Sequence, residues 1–280
     1  MPKLTMVQAI NLALRQEMAK DERVLVMGED VGVDGGVFRV TDGLHEEFGE
    51  LRSVDTPLAE SGILGTAIGM AMAGLRPVAE MQFSGFSYLM IGQWEGNATR
   101  MRSRTHGQHT CPLVVRMPYG GGVRALEHHS ESREATYAHF PGGKVVIPSG
   151  PRNARALMLA AIRDPDPVVF MEPKHSYRSF REEVPEAEEV LPLGQAHVER
   201  EGDDLTVVSW GAMMRPTLKA VDAVAKEGAS IELIDLLTIS PLDSDTICQS
   251  VKKTGRCVVV QELSLIHISE PTRQPATSRM

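Results

Sequence analysis

The chain has 280 residues, is 42% hydrophobic and 24% charged, and carries a formal net charge of −8. That is the composition of a globular protein with room for one large or two ordinary domains, and its acidic balance argues against nucleic acid or an anionic membrane as the main partner. No apolar run reaches membrane-spanning length, and the N-terminus has neither signal nor transit character. Cys111, Cys248 and Cys257 are odd in number and lack metal spacing. They read as reduced thiols, so a cytoplasmic location is expected.

Thr5, with Gln8 three residues on, fits a capping box, and Met6, Ile10, Leu14 and Met18 form the apolar stripe of a surface helix over residues 5–20. A buried strand, 24–27, ends at Gly28-Glu29-Asp30, and a glycine-rich loop, 31–36, follows. Pro57 bars Thr56 from helical geometry, which places a turn before a helix that opens at Glu60. Further along the spacing predicts a strand at 76–81, a helix at 88–104, a strand at 113–117 and a glycine turn at 118–122. A strand at 144–147, a helix at 153–163 stopped by Asp164-Pro165-Asp166-Pro167, and a strand at 168–171 complete this half.

These strands are continuous apolar runs, as in sheets covered on both faces, and they alternate with helices. The fold class is therefore α/β, a doubly wound parallel sheet over residues 1–176. In such sheets ligands bind beyond the carboxyl ends of the strands. Glu29, Glu60, the 82–86 stretch and the 118–129 loop all follow strand ends and are expected to converge on one crevice. Residues 177–194 are charged and contain proline, and read as a linker. Strands at 205–209, 231–235 and 257–261, with helices at 216–226 and 243–253, form a second α/β domain over 195–262. Residues 263–280 are basic, without helix or strand period, and LSLIHISEPTR (263–273) reads as a translated sequencing adapter, so the second domain is expected to be truncated.

The stretch 55–74 organises the first half. Gly65, Gly69 and Ala73 fall four apart on one helix face with almost no side-chain bulk. Each glycine costs ~1 kcal/mol of helix propensity, and close packing has to return it, so this helix is expected to be buried. Glu60 at its start is either a cap favoured by the helix dipole or a buried catalytic carboxyl with a raised pKa. Paired with Glu29 it can relay a proton; alternatively both only cap helices. His128 and His129, in Glu127-His128-His129-Ser130-Glu131, read as an acid–base histidine in a loop, as an exposed polar loop, or, with no third ligand spaced for it, as a metal site. Gly120-Gly121-Gly122-Val123-Arg124-Ala125 matches the loose dinucleotide pattern, but the next strand ends without an acidic residue for a ribose. Asp164 and Asp166, with the carbonyls of Ala161 and Ile162, either hold a hard cation or only stop a helix.

Taken together, GEDVG (28–32), GGVFRVTDGL (35–44), DTPLAESGI (55–63), FSGF (83–86), YGGG (119–122), EHHSES (127–132) and AIRDPDPV (161–168) resemble the E1 beta subunit of 2-oxo acid dehydrogenase complexes, in the transketolase-like thiamine diphosphate superfamily. The resemblance runs in order from Lys3 to Glu262. DTPLAESGI is similar to the pyruvate branch, with the branched-chain 2-oxo acid and acetoin enzymes as the alternatives, and an NAD-binding dehydrogenase or a non-catalytic module further off. It implies a thiamine diphosphate enzyme in which Glu60 hydrogen-bonds the aminopyrimidine ring and favours its imino tautomer, and Phe86 packs on that ring. Glu29 matches an acidic position in a water-filled passage between active sites, and His129 matches the histidine of reductive acyl transfer to lipoyl-lysine. Leu113, Ala161, Ile162, Asp164 and Asp166 match a structural potassium site. No G-D-G with paired Asn occurs, Gly202-Asp203-Asp204 being the nearest string. The resemblance implies that the magnesium and diphosphate end of the cofactor falls to an alpha subunit, in an α2β2 assembly that serves a lipoyl-bearing E2 acyltransferase.

Overall fold

Residues 1–121, 127–185 and 187–262 are described by the computed structural model of the chain. The calls on Gly122, Val123, Arg124 and Ala125, and on the 263–280 tail, lie outside these residues. β1 (Lys3–Leu4) leads into α1 (Met6–Lys20). The capping box forms as its spacing predicts: the Gln8 amide donates to Thr5 Oγ1 at 3.4 Å and the Thr5 amide donates to Gln8 Oε1 at 3.0 Å. Met6, Ile10, Leu14 and Met18 are all buried on the stripe side.

β2 (Val24–Gly28), β3 (Ser53–Asp55), α2 (Glu60–Met72), β4 (Arg76–Glu80), β5 (Val114–Tyr119), β6 (Lys144–Val146), α3 (Pro151–Arg163) and β7 (Val168–Pro173) build the first unit. After β8 (Glu182–Glu183) come β9 (His197–Arg200), β10 (Leu205–Ser209), α4 (Met214–Ala225), β11 (Ile231–Asp235), β12 (Thr238–Ser240), α5 (Ser244–Thr254) and β13 (Cys257–Val260). The larger sheet has the order β12-β6-β7-β5-β4-β2-β3, parallel except at the β12 edge. The smaller one has the order β13-β10-β11-β9 and is parallel except at β9. One core lies between the larger sheet and α1 with α3, and a second lies on the other face under Ile63, Leu64, Ala67 and Trp94. Helices on both faces are what the unbroken apolar strands require. Among the described residues no helix is long and apolar enough to cross a membrane.

Three expectations change. α2 is buried through Glu60 at its start and through Ile63, Leu64, Ala67, Ile68 and Ala71 on one face. Its small-residue face is open at Gly69 and Ala73, which are exposed, a Cβ built at Gly69 meeting nothing within 4 Å, while Gly65 is half-buried against the Gln93 side chain. The spacing of small residues reports a smooth face, but not what covers it. Second, the predicted helix at 88–104 is a broken run, with a 3-10 turn at Phe86–Met90 and a π turn at Trp94–Ala98 before a last short helix, Met101–Arg104. Gly92 and Gly96 interrupt the run, and Trp94, fully buried, sets the turn's orientation from inside the core. Third, the linker is tied down. Glu182 and Glu183 pair with Leu4 and Lys3, Arg155 donates to the carbonyls of Pro185 and Ala187, and Glu188 meets Arg163 and Lys20.

Inside the larger sheet, Arg116 on β5 is 1% exposed and bridges two buried acids. It donates to Glu80 on β4 and makes a two-pronged contact to Glu172 on β7, 2.7 Å at each prong. The Tyr177 hydroxyl donates to Glu172 as well. Removing one partner of such a cluster leaves uncompensated buried charge. Arg116→Met is expected to cost about 3–5 kcal/mol of unfolding free energy, read from urea unfolding midpoints; a loss below 1 kcal/mol would show the acids to be neutral in the fold.

Candidate active site

Strand order reverses beside β2, with β3 on one side and β4, β5 and β7 on the other. A crevice opens outside the strand ends at such a switch point. Glu29 is the first residue past β2. The strand end passes close under its neighbour: Gly28 has φ +155°, and a Cβ there would lie 2.8 Å from the Glu80 carbonyl. The Glu29 carboxyl is 3% exposed, and neither oxygen has a hydrogen-bond partner among the described residues. Burial lifts its pKa to about 7, and the negative charges of Glu60 and Asp30 add to the rise.

Glu60 opens α2 and is 6% exposed. The loop after Glu29 is fastened toward that helix. The Gly32 and Val33 amides donate to the Asp55 carboxylate at 2.6 and 3.2 Å, and the Thr56 amide donates to the Gly28 carbonyl at 2.9 Å. Gln82, just past β4, donates to Asp30 at 3.0 Å and spans the two sides of the crevice.

Phe86 and His129 meet in a second group. Their ring centroids are 5.2 Å apart, edge to face, and Phe83 lies 4.6 Å from His129 and 5.9 Å from Phe86. Gly85, between the two phenylalanines, admits the main chain of His128 so closely that any Cβ would collide with it. His129 Nδ1 lies 3.0 Å from the Glu127 carbonyl. A carbonyl only accepts, so Nδ1 carries the proton and Nε2 is left as the basic nitrogen. His128 has φ +71° and turns toward Tyr88, its Nδ1 3.2 Å from Glu131 Oε1 but out of line for a hydrogen bond. The structure thus brings Glu29 to Glu60, and Phe86 to His129. No hydrogen bond or ion pair joins the two pairs among the described residues. In the first pair Glu29 can hold or release a proton near neutral pH; the second offers an aromatic platform beside an imidazole.

The proposed cation ligands gather at the C-terminus of α3. The Ile162 and Asp164 carbonyls accept from Arg76 Nη1 at 2.7 and 3.4 Å, the Ala161 carbonyl accepts from the Asp164 amide, and the Leu113 carbonyl accepts from the Val168 amide. Asp164 pairs with Lys144, and Asp166 forms a two-pronged ion pair with Arg102 at 2.8 and 3.1 Å. Among the described residues no group of three or more His, Cys, Asp or Glu side chains is arranged to hold a metal ion.

Comparison with known proteins decides the family. Residues 2–179 match the family "Transketolase, pyrimidine binding domain" and residues 194–267 match "Transketolase, C-terminal domain". The chain is 56% identical over 262 residues to the pyruvate dehydrogenase E1 component subunit beta of Bacillus subtilis, covering 94% of this chain and 81% of that one. It is 54% identical over 259 residues to the same-named subunit of Acholeplasma laidlawii, covering 92% and 79%. The chain belongs to the pyruvate dehydrogenase E1 beta family. Two solved structures share the fold. A split-gene transketolase, solved as an inactive beta4 tetramer, superposes with TM-score 0.78 at 21% identity over 95% of this chain and 82% of that one. The transketolase of Campylobacter jejuni gives TM-score 0.73 at 15% identity, covering 92% of this chain and 39% of that one.

Against this E1 beta fold, sequence reasoning missed Lys174 and Glu262 as neighbours of the site, whereas Gln82 stands in the 82–86 stretch expected there from its place past a strand end. For Glu29 the pKa has a consequence for stability. Native Glu29 keeps its proton up to about pH 7, whereas the unfolded chain releases it near 4.5, so the fold loses stability as pH rises between those values. Glu29→Gln removes that loss. The variant is expected to melt above the wild type at pH 8 by a margin that shrinks toward pH 5; a margin independent of pH in thermal unfolding would contradict the assignment.

Proposed function

We propose that this chain is the beta component of a thiamine diphosphate-dependent dehydrogenase that oxidatively decarboxylates pyruvate and passes the acetyl group to lipoyl-lysine on an acyltransferase partner. The buried pair Glu29 and Glu60 at the switch point carries this reading, because a buried acid left without a hydrogen-bond partner beside a second buried carboxyl is placed to handle a proton. The likeness to pyruvate dehydrogenase E1 beta subunits over more than nine-tenths of the chain supports the substrate.

The residues present fit the pyrimidine end of the cofactor: a sheltered carboxyl, an aromatic face and an unpartnered acid. When bound, thiamine diphosphate supplies a carbon nucleophile for the 2-oxo acid and takes up the electron pair left when carbon dioxide departs. Glu60 would hold the aminopyrimidine end through a hydrogen bond that favours its imino form. Phe86 covers the ring and excludes water. Glu29, with a pKa of about 7, takes up or releases a proton at neutral pH on the path behind Glu60. His129 Nε2 serves the acyl transfer to the lipoyl sulfur.

The magnesium and diphosphate end is assigned to an alpha subunit in an α2β2 assembly. The open small-residue face of α2 supports this, since Gly69 and Ala73 allow another backbone to approach closely. A single potassium ion at the end of α3 is part of the proposal. The donors there fit a weakly charged hard cation, being neutral carbonyls beside acids already matched by Lys144 and Arg102.

Two variants test the chemistry in the assembled enzyme. Glu60→Gln is expected to lower turnover by at least about 100-fold while the alpha and beta subunits still co-elute; wild-type-like turnover would remove Glu60 from the mechanism. His129→Ala is expected to block lipoyl acylation far more than decarboxylation measured with an artificial electron acceptor, and an equal loss in both assays would contradict its role. For the cation, the melting temperature in potassium chloride is expected to exceed that in choline chloride at the same ionic strength. Equal midpoints would rule the ion out.

A further inference from the structure

Lys174 stands just past β7, at the start of a single 3-10 turn, Lys174–Ser176. Its side chain does not reach for water. The residue is 7% exposed, its Nζ donates to the His129 carbonyl, and the ammonium lies 5.1 Å from the centre of the Phe83 ring. Burial pulls the Lys174 pKa down to about 8, and the negative charge of Glu262 works against that fall. Glu262 comes from the second unit, just past β13, and its Oε1 accepts from the Gly121 amide at 2.9 Å.

These contacts hold one stretch of chain at three places. Upstream, Gly121 is held by Glu262. Downstream, the Glu131 carbonyl accepts from the Ser84 hydroxyl at 2.6 Å and the Gly120 amide at 3.0 Å. Between them, Lys174 holds the main chain of His129 itself. The same ammonium lies against Phe83, whose ring in turn packs on the His129 imidazole. An apolar side chain would fill this space without the cost of desolvating a charge. The charge is therefore spent on fixing a carbonyl that no strand or helix would otherwise hold, and on fixing the aromatic floor beneath the same residue.

We propose that Lys174 and Glu262 are positioning residues that clamp the 127–131 loop, so that the second unit, through Glu262, helps to set where the His129 imidazole stands. The clamp rests on the reading of His129 as the acyl-transfer histidine only for its consequence in catalysis. The placement of the loop is a separate matter and is tested separately.

The test compares Lys174→Gln and Lys174→Arg in the assembled enzyme. Hydrogen–deuterium exchange of the peptide spanning residues 120–133 reads the clamp directly. Losing a hydrogen bond from a charged donor is expected to speed exchange there by about tenfold in Lys174→Gln, with the β5 and β7 amides unchanged, and Lys174→Arg is expected to restore most of the protection. In the same preparations the ratio of lipoyl acylation to decarboxylation is expected to fall by about tenfold. Unchanged exchange at 120–133 overturns the clamp whatever the activities do. Faster exchange across the whole sheet also overturns it, because Lys174 then only supports the fold. Faster local exchange with an unchanged activity ratio overturns the claim that the clamp sets the His129 imidazole, and the His129→Ala comparison decides the acyl-transfer role of His129 independently.

Discussion

Two carboxyls kept from water and within reach of each other's charge are the constraint around which this molecule is arranged. Shifting one acid from 4.5 to about 7 costs the ionised fold on the order of 3 kcal/mol. Natural domains have only about 5–15 kcal/mol in total, so this is a substantial fraction. It persists because the surroundings give Glu29 no escape. Gly28 brings the end of β2 under Glu80, Asp55 gathers the following loop by two amides, and α2 delivers Glu60 from the other side.

A few residues away the same sheet treats a buried acid in the opposite way. Glu80 and Glu172 are as deeply buried as Glu29, yet Arg116 reaches both, and Tyr177 adds a donor to Glu172. Each acid in that cluster has a donor, and the cluster joins β4, β5 and β7 where their ends support the crevice. The contrast separates scaffold from chemistry more sharply than burial does. A buried acid whose hydrogen bonds are complete holds strands together, whereas one left without partners is available to a proton or a ligand.

Much of this could be read from local pattern. The capping box at Thr5, the stripe Met6–Ile10–Leu14–Met18, the parallel sheet and the strand-end placement of Glu29 and Glu60 each depend on residues close in sequence, where periodicity and turn chemistry operate. What escaped depends on distant partners. Arg116 sits in an apolar run and gives no sign of the two acids beside it. Lys174 reaches a carbonyl 45 residues back, and Glu262 an amide 141 residues back. The helix predicted at 88–104 broke because glycines and a buried tryptophan acted together, while the pattern registered only apolar spacing. The small-residue face of α2 was seen correctly as smooth, but burial within this chain did not follow from smoothness.

That misreading links assembly to chemistry. α2 is a single rigid element whose first residue is Glu60 and whose outer face at Gly69 is open. Nine residues of helix span about 13 Å, so a backbone docked against Gly69 is mechanically continuous with the carboxyl at the helix start. In the proposed assembly, then, closing the interface and orienting Glu60 are one event. A bulky residue at Gly69 would fold without strain in the isolated chain, since nothing lies within 4 Å of a Cβ there, and would act only when a partner arrives. The glycines lower the stability of the free helix by ~1 kcal/mol each, and burial of Ile63, Leu64, Ala67, Ile68 and Ala71 on the opposite face offsets that within this chain.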